Sequence, residues 1–142
     1  MVNKEFQRGE CMLEYAICQP CRDAVTAQLS EASKQSVRSF LEREIDWDAR
    51  IQEFMQSYEP TDRFATCIAC QEPPQNSVGY GISALYDSSG SLVTGPLPLL
   101  ICQPCIAKMT ADLSDESRAV WRRFLDVNFP GPSGETGFSG IF

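Results

Sequence analysis

Cys67-Ile68-Ala69-Cys70 and, 31 residues further on, Cys102-Gln103-Pro104-Cys105 decide how this chain is read. A C-x-x-C sets two sulfurs on one tight turn, so each pair supplies one edge of a tetrahedron of thiolates. The chain contains no His, and the two pairs together read as four cysteine ligands, Cys67, Cys70, Cys102 and Cys105, for one metal ion. Soft thiolate donors suit zinc or iron; the expectation is one Zn2+ per chain. The 31 intervening residues have room for a β-hairpin that carries the chain away from the metal and back.

A length of 142 residues makes one ordinary domain or two small halves packed together. The apolar share is 43%, with two Trp, eight Phe and four Tyr, enough to fill a core and too much for global disorder. The net charge is −7, and a filled four-cysteine zinc site would add about two more negative charges. That balance opposes nonspecific attraction to phosphate backbones, so a protein partner ranks above a nucleic acid.

Six of the seven Cys fall in three C-x-x-C pairs rather than being scattered as in a disulfide framework. The residues from Met1 to Phe6 do not open an apolar signal segment, and the longest apolar run, residues 97–102, is short and carries Pro98. The expectation is a cytoplasmic protein without a membrane span, in a reducing compartment where paired Cys hold metal more often than they form disulfides.

Residues 17–42, ICQPCRDAVTAQLSEASKQSVRSFLE, align without a gap on residues 101–126, ICQPCIAKMTADLSDESRAVWRRFLD, with 13 of 26 positions identical. The chain therefore reads as two copies of one supersecondary unit, a C-x-x-C leading straight into helix. Val25 and Leu29 in the first copy, and Ile106, Met109 and Leu113 in the second, mark a short helix by their spacing. Ser30 and Ser114 stand where an N-cap belongs, each followed by acidic residues that suit the positive end of a helix dipole. The next helix carries Val37, Phe40 and Leu41, or Val120, Trp121, Phe124 and Leu125, as its core-facing stripe. A third amphipathic helix is predicted over residues 46–58 from Trp47, Ile51, Phe54, Met55 and Tyr58, with Pro60 beyond its end.

After Cys70 a Pro-rich connection, residues 71–77, leads to Tyr80, Ile82, Ala84 and Tyr86, which alternate with other residues in strand period. Asp87-Ser88-Ser89-Gly90 is a turn, and a return strand begins at Leu92, confined or broken early by Pro96 and Pro98. The fold class expected is α+β, mainly helical, with two pseudo-repeated C-x-x-C and helix units, the second carrying a β-hairpin and a four-cysteine site. The organisation expected is a helical half over 1–60, a zinc-finger-like half over 61–129 and a Pro/Gly-rich tail over 130–142. In that tail Phe138, Ile141 and Phe142 are the candidate partner contacts.

The order knuckle, hairpin, second C-x-x-C, helix over residues 64–126 resembles a treble-clef zinc finger. The resemblance implies that Cys102 and Cys105 sit at a helix N-terminus, whose N–H groups and dipole favour thiolate over thiol. A zinc ribbon is the neighbouring class, in which the second pair joins strand instead of helix. The chain departs from the common treble-clef pattern in lacking a Gly after either pair: Gln71 follows Cys70 and Ile106 follows Cys105.

Cys18-Gln19-Pro20-Cys21 repeats the second pair, but only Cys11 precedes it. Three readings stand: Cys18 and Cys21 are buried thiols of a half that has lost its metal; Cys11, Cys18 and Cys21 hold a second metal with an outside ligand; or the pair is redox-active or shared across a homodimer. A four-cysteine zinc site has no open coordination position and is structural, and no His is present for Ser/His or Cys/His chemistry. The expectation is a zinc-stabilised interaction or adaptor module that is not an enzyme. The alternatives are a nucleic-acid-binding zinc finger, with Arg118, Arg122 and Arg123 as its footing, and a thiol-redox or iron–sulfur protein.

Overall fold

The computed structural model describes residues 1–129; the tail with Phe138, Ile141 and Phe142 lies outside the described residues. Within them the chain is α+β, with five α-helices and a five-stranded antiparallel sheet.

The sheet begins where the sequence signalled nothing. β1 (Val2–Gln7) and β2 (Glu10–Ala16) form a hairpin closed by Arg8 and Gly9, both at positive φ (52° and 83°). Two such residues make the turn type whose twist matches the flanking strands. The hairpin adds two strands to the segment over 1–60 expected as a helical half. Its strands lack apolar alternation because charged residues face each other across it: Lys4 Nζ lies 3.1 Å from the Glu14 carboxylate.

β3 (Gly79–Tyr86) is the central strand. One edge pairs with β1 from Val2↔Ala84 to Gln7↔Gly79. The other edge takes β5 (Leu99–Cys102) at Tyr80–Ser83 and β4 (Leu92–Val93) at Leu85 and Tyr86. The predicted return strand is thus split in two, and Pro96 and Pro98 fall in the break. The pairing of β1 with β3 ties the first residues of the chain to the segment after residue 60.

α1 (Gln19–Ala27) and α2 (Glu31–Glu44) follow β2, and α4 (Gln103–Thr110) and α5 (Asp115–Asn128) follow β5. α2 packs on α4, and α1 on α5. The main core joins Phe40 and Ile45 to Cys67, Leu100, Ile101, Ile106 and Met109, and a second cluster joins Val25 to Val120 and Trp121. Core residues therefore come from both sides of residue 60.

The starts of α2 and α5 are locked together by four serines. Ser30 and Ser114 cap their own helices, accepting from the Ser33 and Ser117 N–H groups at 3.2 Å. Each helix then caps the other: the Ser30 N–H donates to Ser117 Oγ and the Ser114 N–H to Ser33 Oγ, both at 3.0 Å. Ser33 and Ser117 are fully buried, so their hydroxyls satisfy donors that would otherwise be stranded away from water.

α3 (Trp47–Gln56), capped by Asp46 Oδ1 accepting from the Ala49 N–H at 2.9 Å, ends two residues before the expected limit. The apolar stripe expected for it, which runs past its end to Tyr58, is only partly used. Trp47 packs on the core, while Ile51, Met55 and Tyr58 are 56%, 63% and 68% exposed. The helix is anchored instead by Arg50, buried, whose Nη2 donates to the Pro98 carbonyl at 2.6 Å.

Ser33→Ala and Ser117→Ala are each expected to lower unfolding free energy by about 1–2 kcal/mol, the range for losing a cap and stranding a donor. The double variant should lose less than the sum, since both serines belong to one network. Urea unfolding of the three variants checks this; additive losses would place the serines in independent roles.

Candidate metal centre

The knuckle Cys67–Cys70 is held against the sheet by its own backbone. The Ile68 N–H donates to the Leu100 carbonyl at 2.8 Å, fastening the turn to β5, and the Cys67 N–H donates to the Glu72 carbonyl, also at 2.8 Å. The turn closes with the Gln71 N–H on the Cys67 carbonyl at 2.9 Å. Gln71, in the place where a Gly was missing from the sequence, takes φ 61°, the left-handed conformation glycine would adopt without strain. Its side chain offsets that strain: Oε1 accepts from the Thr66 hydroxyl and Nε2 donates to the Ile68 carbonyl, both at 3.2 Å.

The second pair comes from the junction of β5 and α4. Cys102 closes the strand and is the N-cap of α4, with Pro104 in the first turn, where its missing N–H costs nothing. Cys105 lies one turn in, buried under the core. The pair therefore joins a helix.

These two pairs meet. The sulfurs of Cys67, Cys70, Cys102 and Cys105 all lie within 4.8 Å of one another, Cys70 and Cys102 at 3.5 Å. A zinc ion with sulfurs at about 2.3 Å spaces them about 3.8 Å apart, so the four could close on a metal ion with little movement. Cys67, Cys102 and Cys105 are buried, and Cys70 is exposed at the rim.

The protonation of the group is uneven. Burial pushes the Cys102 thiol up to about 11. Burial also pushes Cys105 far up, helped by hydrogen bonding with Cys102 and by the charge of Cys67. Burial opposes ionisation of Cys67 as well, but the backbone N–H groups of Cys70, Cys102 and Ala69 outweigh it, and its thiol lies below the usual value. The Cys102 N–H reaches Cys67 Sγ at 3.4 Å. One thiolate is thus supported by the backbone, while the buried pair on α4 needs a cation to ionise.

The remaining cysteines are placed differently. Cys18 and Cys21 begin α1 and are exposed, against the one of the three readings that makes them buried thiols. Cys11 is exposed on β2, its thiol donating to the Leu13 carbonyl at 3.6 Å. Among the described residues these three are not brought into a metal-holding group. The Arg118 guanidinium, read as part of a basic footing, is turned inward: its Nη2 donates to the Thr110 and Ala111 carbonyls at 2.8 and 3.0 Å, its Nε to the Leu113 carbonyl at 3.2 Å. It caps the end of α4, a role the sequence could signal only through the cation's position one turn into the next helix.

Comparison with protein-family models, curated proteins and solved structures finds no match to this chain. No described helix is long and apolar enough to cross a membrane.

Two outcomes test the site's local chemistry. Gln71→Gly should be close to neutral, whereas Gln71→Val, β-branched at positive φ, should destabilise by about 2 kcal/mol or more in chemical unfolding; equal effects would show that the knuckle does not depend on this conformation. Zinc binding at neutral pH should displace protons from Cys102 and Cys105. Affinity should therefore rise from about pH 6 to pH 9 and fall with acid, because only the deprotonated thiols bind. Calorimetry in buffers of different ionisation enthalpy measures the protons released; none released would contradict the burial-raised thiols.

Proposed function

We propose that this protein is a zinc-stabilised interaction module whose metal centre holds the fold and carries no reaction. The observation that carries the reading is the four sulfurs within 4.8 Å of one another. The donor set fits zinc: four soft ligands complete a tetrahedron and leave no open position for substrate or water. When bound, the ion supplies the positive charge that keeps buried thiolates ionised and cross-links the knuckle to the β5–α4 junction.

Among the four-cysteine classes the treble clef is favoured over the ribbon because Cys102 and Cys105 open a helix. We read residues 17–42 and 101–126 as two copies of one unit, the first without a knuckle. In support, Cys18 and Cys102 are N-caps with nearly the same backbone angles (φ −74°, ψ 159° and φ −75°, ψ 154°), and the serine caps are exchanged reciprocally.

A protein partner is favoured by the apolar residues that α3 and the turn beyond it leave exposed, Ile51, Met55 and Tyr58. Nucleic acid is disfavoured by the net charge of −7 and by the use of Arg118 as an internal cap. A reducing, cytoplasmic setting agrees with free thiols throughout the described chain.

Native mass spectrometry with metal analysis tests the zinc reading. One zinc per chain is expected, lost in Cys67→Ser and retained in Cys18→Ser, and chelation should lower the melting temperature of the wild type. Zinc retained in Cys67→Ser, or a colourless zinc-free protein from a zinc-replete preparation, would overturn it; a coloured iron-loaded protein would replace zinc by an iron–sulfur or iron–thiolate centre.

A further inference from the structure

Cys18 and Cys21 share a four-residue sequence, Cys-Gln-Pro-Cys, with Cys102 and Cys105, and the same start of a helix. What differs is the surroundings. Cys102 and Cys105 are buried against the knuckle, whereas both thiols of the first pair are exposed. With no third ligand beside them among the described residues, they offer at most two of the four donors a thiophilic ion takes. Two accessible thiols in adjoining positions at a helix N-terminus have another chemistry available, exchange with a disulfide.

We propose that Cys18 and Cys21 form a reactive dithiol that reduces a solvent-accessible disulfide, with Cys18 as the attacking sulfur and Cys21 as the resolving one. The local geometry assigns the two roles. Cys18 is the N-cap, at the positive end of the nine-residue α1, and Cys21 lies one turn in, both thiols exposed. The Cys21 thiol and then its backbone N–H favour a thiolate on Cys18, while donating to Cys18 holds the Cys21 proton in place. Pro20 stands in this first turn, where its missing N–H costs nothing.

In the first step Cys18 Sγ attacks one sulfur of the incoming disulfide, whose S–S bond breaks; a mixed disulfide forms and one thiolate leaves. Cys21 then gives its proton to solvent and attacks Cys18 Sγ, closing the Cys18–Cys21 disulfide and releasing the second thiolate. Two electrons and two protons pass from the dithiol to the incoming disulfide, which ends as two thiols. Cys11, exposed on a strand and outside any C-x-x-C pair, provides an internal reference.

The test uses the zinc-loaded, reduced full chain. With limiting iodoacetamide at pH 7, peptide mass spectrometry should find Cys18 alkylated at least about threefold faster than Cys11. With glutathione disulfide, the wild type should lose two hydrogens and yield a Cys18–Cys21 cross-linked peptide, with its zinc retained. Cys21→Ser should instead trap glutathione on Cys18, and Cys18→Ser should form no cross-link. Labelling of Cys18 no faster than Cys11, absence of the cross-link, or a second zinc held by the reduced pair would each overturn the proposal.

Discussion

Everything in this fold is arranged around the convergence of four sulfurs from two segments 31 residues apart in sequence. Without a cation, packing buried thiols that closely gains little, because burial opposes the charge that would let them act as ligands. With a dication the same arrangement becomes a cross-link. The knuckle is already fastened to β5 by the Ile68 N–H on the Leu100 carbonyl, so the site ties together parts that the backbone has brought to register. The strand β5, paired to the central strand β3, and helix α4 then share one core with α2.

Cys-Gln-Pro-Cys, which occurs twice, shows how much of a cysteine's chemistry is decided outside its motif. Cys18 and Cys102 have the same neighbours in sequence and almost the same backbone angles. Cys102 faces a knuckle and is buried, with its thiol raised; Cys18 faces solvent, with its thiol lowered by Cys21. One local structure thus presents either half of a cluster that could hold a metal ion or an open pair of thiols. The reciprocal serine caps bind the two helix pairs carrying these motifs into one body.

The site was legible in the sequence because C-x-x-C spacing is a local signal with few structural meanings, and the helix starts were legible because Ser30 and Ser114 act within one turn. The hairpin of β1 and β2 was not, since Lys4, Glu5 and Glu14 interrupt the alternation that marks a strand, and its pairing with β3 is a long-range fact. Helical period at Trp47, Ile51 and Met55 identified α3, though Tyr58 falls beyond its end, but not its exposed face, because periodicity says which residues share a side and not what covers it. Gln71 shows a further gap. The chain lacks the Gly of the common pattern after Cys70, yet side-chain hydrogen bonds accompany Gln in a left-handed position. Arg118 likewise looked like part of a basic surface and is an internal cap.

X-ray absorption at the zinc edge of the purified protein addresses the central claim most directly. The account predicts a first shell of sulfur alone, four atoms at about 2.3 Å, with no nitrogen or oxygen among them. A shell containing nitrogen or oxygen, or fewer than four sulfurs, would mean that Cys67, Cys70, Cys102 and Cys105 do not close on one ion.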